Sequence, residues 1–127
     1  SGISSSTTNL EYYYEESLFE SSTTSLGYQN KITLSGVPSG DFLFMWCFDW
    51  SVYNKNTDML VSVNLNTTYS ITEYELIPEN ENVWYSASGF RKLTIPSDDS
   101  DIILSYSSSK VGKQVSIKNS CFNIWRL

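Results

Sequence analysis

The sequence contains no histidine. Histidine is the usual general base of serine and cysteine hydrolases and a frequent metal ligand, so its absence excludes those mechanisms and histidine-rich metal sites. Basic residues are also few: 8 Lys and Arg stand against 14 Asp and Glu, which gives a net charge of −6. Nucleic acids and anionic lipid surfaces are bound through basic faces, and none is visible. We therefore expect neither a nucleic-acid partner nor a membrane partner.

Long apolar runs and alanine are scarce as well. No run approaches the roughly 18 to 20 apolar residues of a membrane-spanning helix, and Ala87 is the only alanine. Aromatic residues make up 15% of the 127-residue chain, and Ser, Thr, Val, Ile and Tyr are frequent. This composition is typical of strands and not of helices. The length suits a domain with one core.

The longest apolar run lies in residues 41–51 and predicts a central strand. In a strand, alternate side chains point to opposite faces. One face then carries Phe42, Phe44, Trp46 and Phe48, and the other carries Leu43, Met45 and Cys47. Because both faces are apolar, we expect both to be covered, as in a two-layer structure. A buried helix is the alternative, but the run is short for one and turn residues flank it.

Seven further segments have strand-like patterns separated by turn residues. They are residues 10–25, 28–34, 58–66, 68–77, 83–95, 102–107 and 114–127. Residues 10–25 fit one bulged strand, two short edge strands or, less well, a helix. Together with the central strand, these segments predict an all-β protein: a two-layer antiparallel β-sandwich, jelly-roll-like, with about eight strands.

Connections and irregularities refine this prediction. The short connection 54–57 predicts that segment 58–66 is the hairpin partner of residues 41–53. Residues 35–40 are expected to end the strand before them. Gly89 predicts a bulge or a close backbone approach, and Asn119-Ser120 predicts an irregularity in the last strand.

The N-terminal residues differ from the remainder in composition. Residues 1–9 are rich in Ser and Thr and predict a flexible arm, or a tail that becomes ordered on contact with a partner. We therefore divide the chain into an arm and edge segment, residues 1–25, and a β-sandwich domain, residues 26–127.

The two cysteines and several acidic residues are the candidates for chemical sites. Cys47 and Cys121 lie in apolar surroundings, where buried free thiols are expected and a disulfide across facing strands is the alternative. Glu73 and Glu75 share one side of a strand, at a separation that a glycosidase could use, but a solvated face on an acidic protein explains them better. Residues 98–101 contain Asp98, Asp99 and Asp101, which fit a polar turn better than a calcium site. We predict no catalytic residue, no cofactor and no metal.

Aromatic residues outside the core pattern are the candidate interface residues. They are Tyr12, Tyr13, Tyr14, Trp84 and Tyr85. Exposed rings of this kind stack on sugars or anchor protein interfaces.

Residues 37–127 carry the motifs VPSGDFLFMWCFDW, SGFRKLTI, DIILSYSSS and a closing IKNSCFNIWRL. Over residues 26–127 the chain resembles a small β-sandwich module of tailed bacteriophage virions, in which the last strand has a similar end. The matching positions are Ile117, Lys118, Asn119, Ile124, Trp125 and Arg126. Two departures are residues 97–101, where a Gly-x-His turn is common, and Ser120-Cys121, where Ala-Arg is common.

The resemblance implies a non-enzymatic auxiliary or decoration protein on the surface of a bacteriophage capsid, assembled in the host cytoplasm. It implies binding to capsid or other virion proteins and a homotrimer, with the arm and residues 11–16 reaching a neighbouring protein. The alternative is the tip domain of a head or tail fibre that binds a receptor or a host surface glycan. A third hypothesis is a carboxylate-dependent enzyme.

Overall fold

A computed structural model describes residues 11–127, which form nine β-strands. They are β1 (Tyr12–Ser17), β2 (Ser21–Thr23), β3 (Gln29–Val37), β4 (Gly40–Val52), β5 (Met59–Leu65), β6 (Tyr69–Leu76), β7 (Tyr85–Ile95), β8 (Ser100–Ser108) and β9 (Val115–Arg126). The predicted arm, residues 1–9, lies outside the described residues. Within residues 11–127, no helix is long and apolar enough to cross a membrane.

The strands form two antiparallel sheets, which confirms the predicted β-sandwich. In the five-stranded sheet, called sheet A, β1 and β2 lie one after the other along β9, and the order continues through β4 to β7. The four-stranded sheet, called sheet B, has the order β3, β8, β5, β6. This is the strand order of a jelly roll, in which two Greek keys form one sandwich.

Residues 11–25 contribute to sheet A. Of the predictions for this segment, the two short edge strands are confirmed, because β1 and β2 are separate and both pair with β9. The chain therefore has nine described strands instead of about eight. The division of the chain between residues 25 and 26 stays a prediction.

The core lies between the sheets, and the inward face of β4 supplies most of its aromatic side chains. These are Phe42, Phe44, Trp46, Phe48 and Trp50, each with at most 6% of its surface exposed. Aliphatic side chains of β5, β8 and β9 fill the space around them.

Two hydrogen bonds join the sheets at the edge of the core. Trp46 Nε1 donates to the Tyr74 hydroxyl over 2.8 Å. Arg91 Nη1 donates to the carbonyl oxygen of Ile71 over 2.8 Å. These bonds fix the relative position of β4, β6 and β7.

The predicted hairpin between residues 41–53 and 58–66 is wrong. β4 lies in sheet A between β9 and β7, whereas β5 lies in sheet B between β8 and β6. A short connection suits either a hairpin or a corner that takes the chain from one sheet to the other. Both strands have an apolar face, and the corner packs these faces into the same core.

Three local predictions can also be compared with the structure. The irregularity at Asn119 is confirmed, because this residue has a φ of 50° and the β4–β9 register shifts beside it. Gly89 makes no bulge, since β7 pairs with β4 in continuous register. A Cβ at Gly89 would lie 2.7 Å from Trp46 Cε2, so the close approach involves a ring and not a backbone. β3 does not end at residue 34 but continues to Val37 through an irregularity that contains Gly36.

The expectation of two free thiols is wrong. Cys47 of β4 stands directly opposite Cys121 of β9, with the Cα atoms 5.3 Å apart, and the two residues form a disulfide. The bond joins neighbouring strands of sheet A and not facing strands of the two sheets. The two residues are 74 positions apart, so their pairing depends on a register that only the fold defines.

Candidate functional site

The outward face of sheet A carries apolar side chains in rows that cross the sheet. Directly paired residues of antiparallel strands share a face, so the register defines the rows. The first row is Tyr12, Trp125, Leu43 and Lys92, the second is Tyr14, Asn123, Met45 and Phe90, and the third is Glu16, Cys121, Cys47 and Ser88. We call the set Tyr12, Tyr14, Trp125, Met45 and Phe90 the outer apolar face.

The aromatic rings of β1 and β9 stack on one another. The Tyr12 ring lies 5.8 Å from the Tyr14 ring and 5.3 Å from the Trp125 ring, measured between centroids, with nearly parallel planes. The Tyr12 hydroxyl donates to Asn123 Oδ1, which orients this ring across the strand pair. The stack is therefore held in place before any partner binds, so little conformational entropy is lost on contact.

The outer apolar face is open to water. Tyr14 exposes 60% of its surface, Phe90 71% and Met45 39%. The expectation that both faces of β4 are covered is therefore wrong for the outward one. Adjacent exposed apolar side chains of this kind typically mark a contact with another molecule.

The ends of β1 and β9 are fixed to each other by a charged contact. The Arg126 guanidinium makes an ion pair with the Glu11 carboxylate, and the Arg126 backbone N–H donates to the Glu11 carbonyl over 2.9 Å. Hydrogen bonds from Arg126 and then from Tyr13 hold the pKa of Glu11 below its ordinary value. Arg126 Nη1 also donates to the Ser39 carbonyl over 3.1 Å. This clamp positions Tyr12 beside Trp125.

The structure brings together only two of the five predicted interface residues, Tyr12 and Tyr14. Tyr13 points to the opposite side of β1, packs against the core and donates to Glu11 Oε1 over 2.8 Å. Tyr85 also points inward, where its ring stacks on Trp50 at 4.7 Å.

Trp84 lies at the other end of sheet A, with Lys118 Nζ 4.1 Å from the centre of its ring. It borders a cavity of about 170 Å³ that is lined by Glu20, Ser51, Tyr53, Asn82, Trp84, Gln114 and Ser116. Trp84 is thus separated from the outer apolar face by the rows that contain the disulfide and Asp49.

The acidic residues named as possible chemical sites have other interaction partners. Glu75 of β6 interacts with Asp58 instead of Glu73, and the hydrogen bond with Asp58, followed by the Asp58 charge, raises the Glu75 pKa. Asp98 accepts hydrogen bonds from the backbone N–H and the hydroxyl of Ser39, each over 2.8 Å, which lower its pKa. In the part of the chain that the structure describes, no three acidic or cysteine side chains come close enough to hold a metal ion.

Trp125, Met45 and Phe90 are members of the outer apolar face that sequence reasoning missed. The sequence pattern predicts apolar side chains at the odd-numbered positions of β4, but it also predicts that both faces of β4 are covered, which would bury Met45. Phe90 lies between Gly89 and Arg91, which face inward, so its side chain faces outward. Only the pairing of β7 with β4 shows that Phe90 stands beside Met45.

Comparison with protein-family models gives no match, and comparison with curated protein sequences gives none either. Among solved structures, the T=1 particle structure of infectious bursal virus has a TM-score of 0.69 and 8% identity, over 93% of this chain and 32% of that one. Eiger TNF from S. frugiperda has a TM-score of 0.61 and 7% identity, over 93% of this chain and 92% of that one. Latent PorU from Porphyromonas gingivalis has a TM-score of 0.57 and 12% identity, over 91% of this chain and 12% of that one.

These similarities show the fold alone. The chain spans about a third of the viral chain that it matches. The β-sandwich part of the sequence resemblance is thereby confirmed.

Proposed function

We propose that the chain is a non-enzymatic structural protein of a bacteriophage particle, an auxiliary or decoration protein on the capsid surface. Its outer apolar face binds another virion protein. The observation that carries this proposal is the prearranged stack of Tyr12, Tyr14 and Trp125 beside the exposed Met45 and Phe90. Tyr and Trp are the residues that most often anchor protein interfaces.

The charge of the chain favours a different protein as the partner at this face. Glu16 lies on the outward side of β1, two residues from Tyr14, and the whole chain has a net charge of −6. Two copies in contact through the outer apolar face would bring their Glu16 carboxylates close together, which is unfavourable. A partner with basic residues around an apolar centre fits better. The trimer implied by the sequence resemblance then uses another surface of the sandwich.

The Cys47–Cys121 disulfide supports a location on the outside of a particle. Disulfides persist in oxidising surroundings, which include virion surfaces, whereas the cytosol keeps thiols reduced. A particle assembled in the host cytoplasm would carry the two cysteines as thiols until its release. The bond would then form on the released particle.

The experiment compares particles made with and without this protein by electron microscopy. Purified protein is added to particles that lack it, either unchanged or as Phe90→Ser. Val111→Ser is the matched control, because Val111 is a similarly exposed apolar residue, 76% against 71% for Phe90, and lies in a loop outside the outer apolar face.

We expect surface density with the unchanged protein and with Val111→Ser, and its loss with Phe90→Ser. Particles that never contain the protein, or that bind all three forms equally, would contradict the proposal. The mass of the free protein in solution tests the trimer, which should have three times the 14.5 kDa of one chain.

A further inference from the structure

The outward face of sheet B contains a polar cavity that the proposed function does not use. A row of paired residues crosses the sheet beneath it: Asn30, Ser105, Ser62 and Glu73. The cavity has a volume of about 340 Å³, which lies at the lower end of the range for small-molecule sites. Its lining residues are Tyr28, Ser62, Asn64, Thr67, Thr68, Tyr69, Ser70, Glu73 and Ser105.

The floor of this cavity is held in place by hydrogen bonds between side chains. The Ser62 hydroxyl donates to Asn64 Oδ1 over 2.9 Å, and the Ser105 hydroxyl donates to Asn30 Oδ1 over 2.9 Å. Ser62 and Ser105 each expose only 6% of their surface. With Oδ1 of Asn64 occupied by Ser62, its Nδ2 group is the end that can donate to a ligand. The floor therefore offers fixed polar groups and not mobile side chains.

Two tyrosines from opposite edges of sheet B border the floor. Tyr28 immediately precedes β3, Tyr69 begins β6, and each exposes 47% of its surface. Burial and then the charge of Glu73 raise the Tyr28 pKa, so the phenol stays neutral and lies near this carboxylate. The Ser70 hydroxyl donates to Glu73 Oε2 over 3.0 Å, which orients the carboxylate.

The lining chemistry selects one class of ligand. It contains hydroxyls, an amide and one carboxylate, with no Lys or Arg among the lining residues of the described chain, so phosphate and other anions would be repelled. It has too few aliphatic side chains for a lipid. A neutral sugar has hydroxyls that donate to a carboxylate and accept from an amide, and its C–H face packs on tyrosine rings.

We propose that this cavity binds a neutral saccharide unit, with Tyr28 and Tyr69 packing on the ring and Glu73 and Asn64 contacting its hydroxyls. The site lies on the outward face of sheet B, on the other side of the sandwich from the outer apolar face. A copy held on a particle through sheet A would therefore still present the cavity to a cell-surface glycan. The cavity is lined by none of the five candidate interface residues that the sequence indicates.

The experiment uses a glycan array that contains neutral, sialylated and sulfated glycans, probed with the labelled full chain. The variants are Tyr28→Ala, Tyr69→Ala and Glu73→Gln. Tyr69→Phe tests the ring alone, since it keeps the packing surface. Tyr53→Ala is the matched control, because this tyrosine is 67% exposed and borders the smaller cavity of sheet A.

We expect binding to neutral glycans that falls about tenfold or more with Tyr28→Ala and with Tyr69→Ala, as for an anchoring aromatic residue. Tyr69→Phe and Tyr53→Ala should retain it. The proposal is overturned if no glycan binds, if only sialylated or sulfated glycans bind, or if Tyr53→Ala abolishes binding while Tyr28→Ala and Tyr69→Ala do not. None of these variants alters the outer apolar face. A result that overturns glycan binding therefore leaves the proposed attachment to the particle untouched.

Discussion

Replacing both cysteines by serine tests the disulfide and with it the register of β4 and β9. The Cys47–Cys121 bond closes a loop of 74 residues. In the chain-entropy model, a crosslink of this span removes about 15 cal/mol/K from the unfolded chain, which corresponds to about 4.4 kcal/mol at 25 °C. Both cysteines lie on the outward face of sheet A, so substitution by serine removes little core packing.

This loss is large compared with a typical domain stability of about 5–15 kcal/mol. With a urea slope of about 2 kcal/mol/M, the unfolding midpoint of the Cys47→Ser/Cys121→Ser variant should fall by about 2 M. The assay is urea unfolding followed by fluorescence of the 4 tryptophans, with and without a thiol reductant. Reductant should lower the midpoint of the unchanged protein to that of the double variant.

The double variant also serves as the control for the reductant. It contains no cysteine, so its unfolding midpoint should be the same with and without reductant. Two thiols that react in the native, air-oxidised protein would refute the reasoning. An unchanged midpoint after complete reduction would refute the entropy argument in particular, since the crosslink would then not constrain the unfolded chain.

Three other substitutions test single contacts by urea unfolding. Gly89→Ala should destabilise the protein by about 1–3 kcal/mol, because the new methyl group overlaps the Trp46 ring; an unchanged midpoint would contradict the contact. Tyr74→Phe should cost about 1–3 kcal/mol, because the buried Trp46 N–H loses its acceptor, and a neutral result would mean that water replaces the hydroxyl. The lowered Glu11 pKa stabilises the fold above the ordinary value of 4.5, and this contribution is lost as the pH falls through the folded-state pKa. Between neutral pH and pH 3, the unchanged protein should therefore lose more stability than Glu11→Gln; equal losses would exclude the clamp with Arg126.

The architecture could be predicted because local patterns determine it. The alternation in β4, with its run of inward aromatic side chains, requires a strand against a second layer, and turn residues divide the chain into segments of strand length. The β9 irregularity was visible because Asn119-Ser120 shifts the apolar phase. In each case the signal lies within about ten neighbouring residues.

The errors concern relations between distant segments. The short connection between β4 and β5 predicts a hairpin, but its length does not tell whether the chain turns within a sheet or passes to the other sheet. The Cys47–Cys121 bond and the Met45–Phe90 neighbourhood both follow from the β4 register with β9 and β7. Sequence patterns show that a side chain is apolar, but only the register shows which exposed residues lie together.

The same reason explains why the sequence does not predict the cavity on sheet B. Tyr28 and Tyr69 come from opposite edges of the sheet, and the serines between them read as ordinary outward positions of β5 and β8. Hydrophobic patterning carries no signal for a polar depression. Only the register of the strands shows that these side chains form one floor.

The most direct test of the central claim is the oxidation of the two methionines in particle-bound and free protein. Met45 lies on the outer apolar face and is 39% exposed, whereas Met59 is fully buried and serves as an internal control. Peptide mass spectrometry after brief hydroxyl-radical labelling should show Met45 modified in the free protein and protected on the particle, with Met59 unmodified in both. Equal modification of Met45 in the two samples would contradict binding through the outer apolar face.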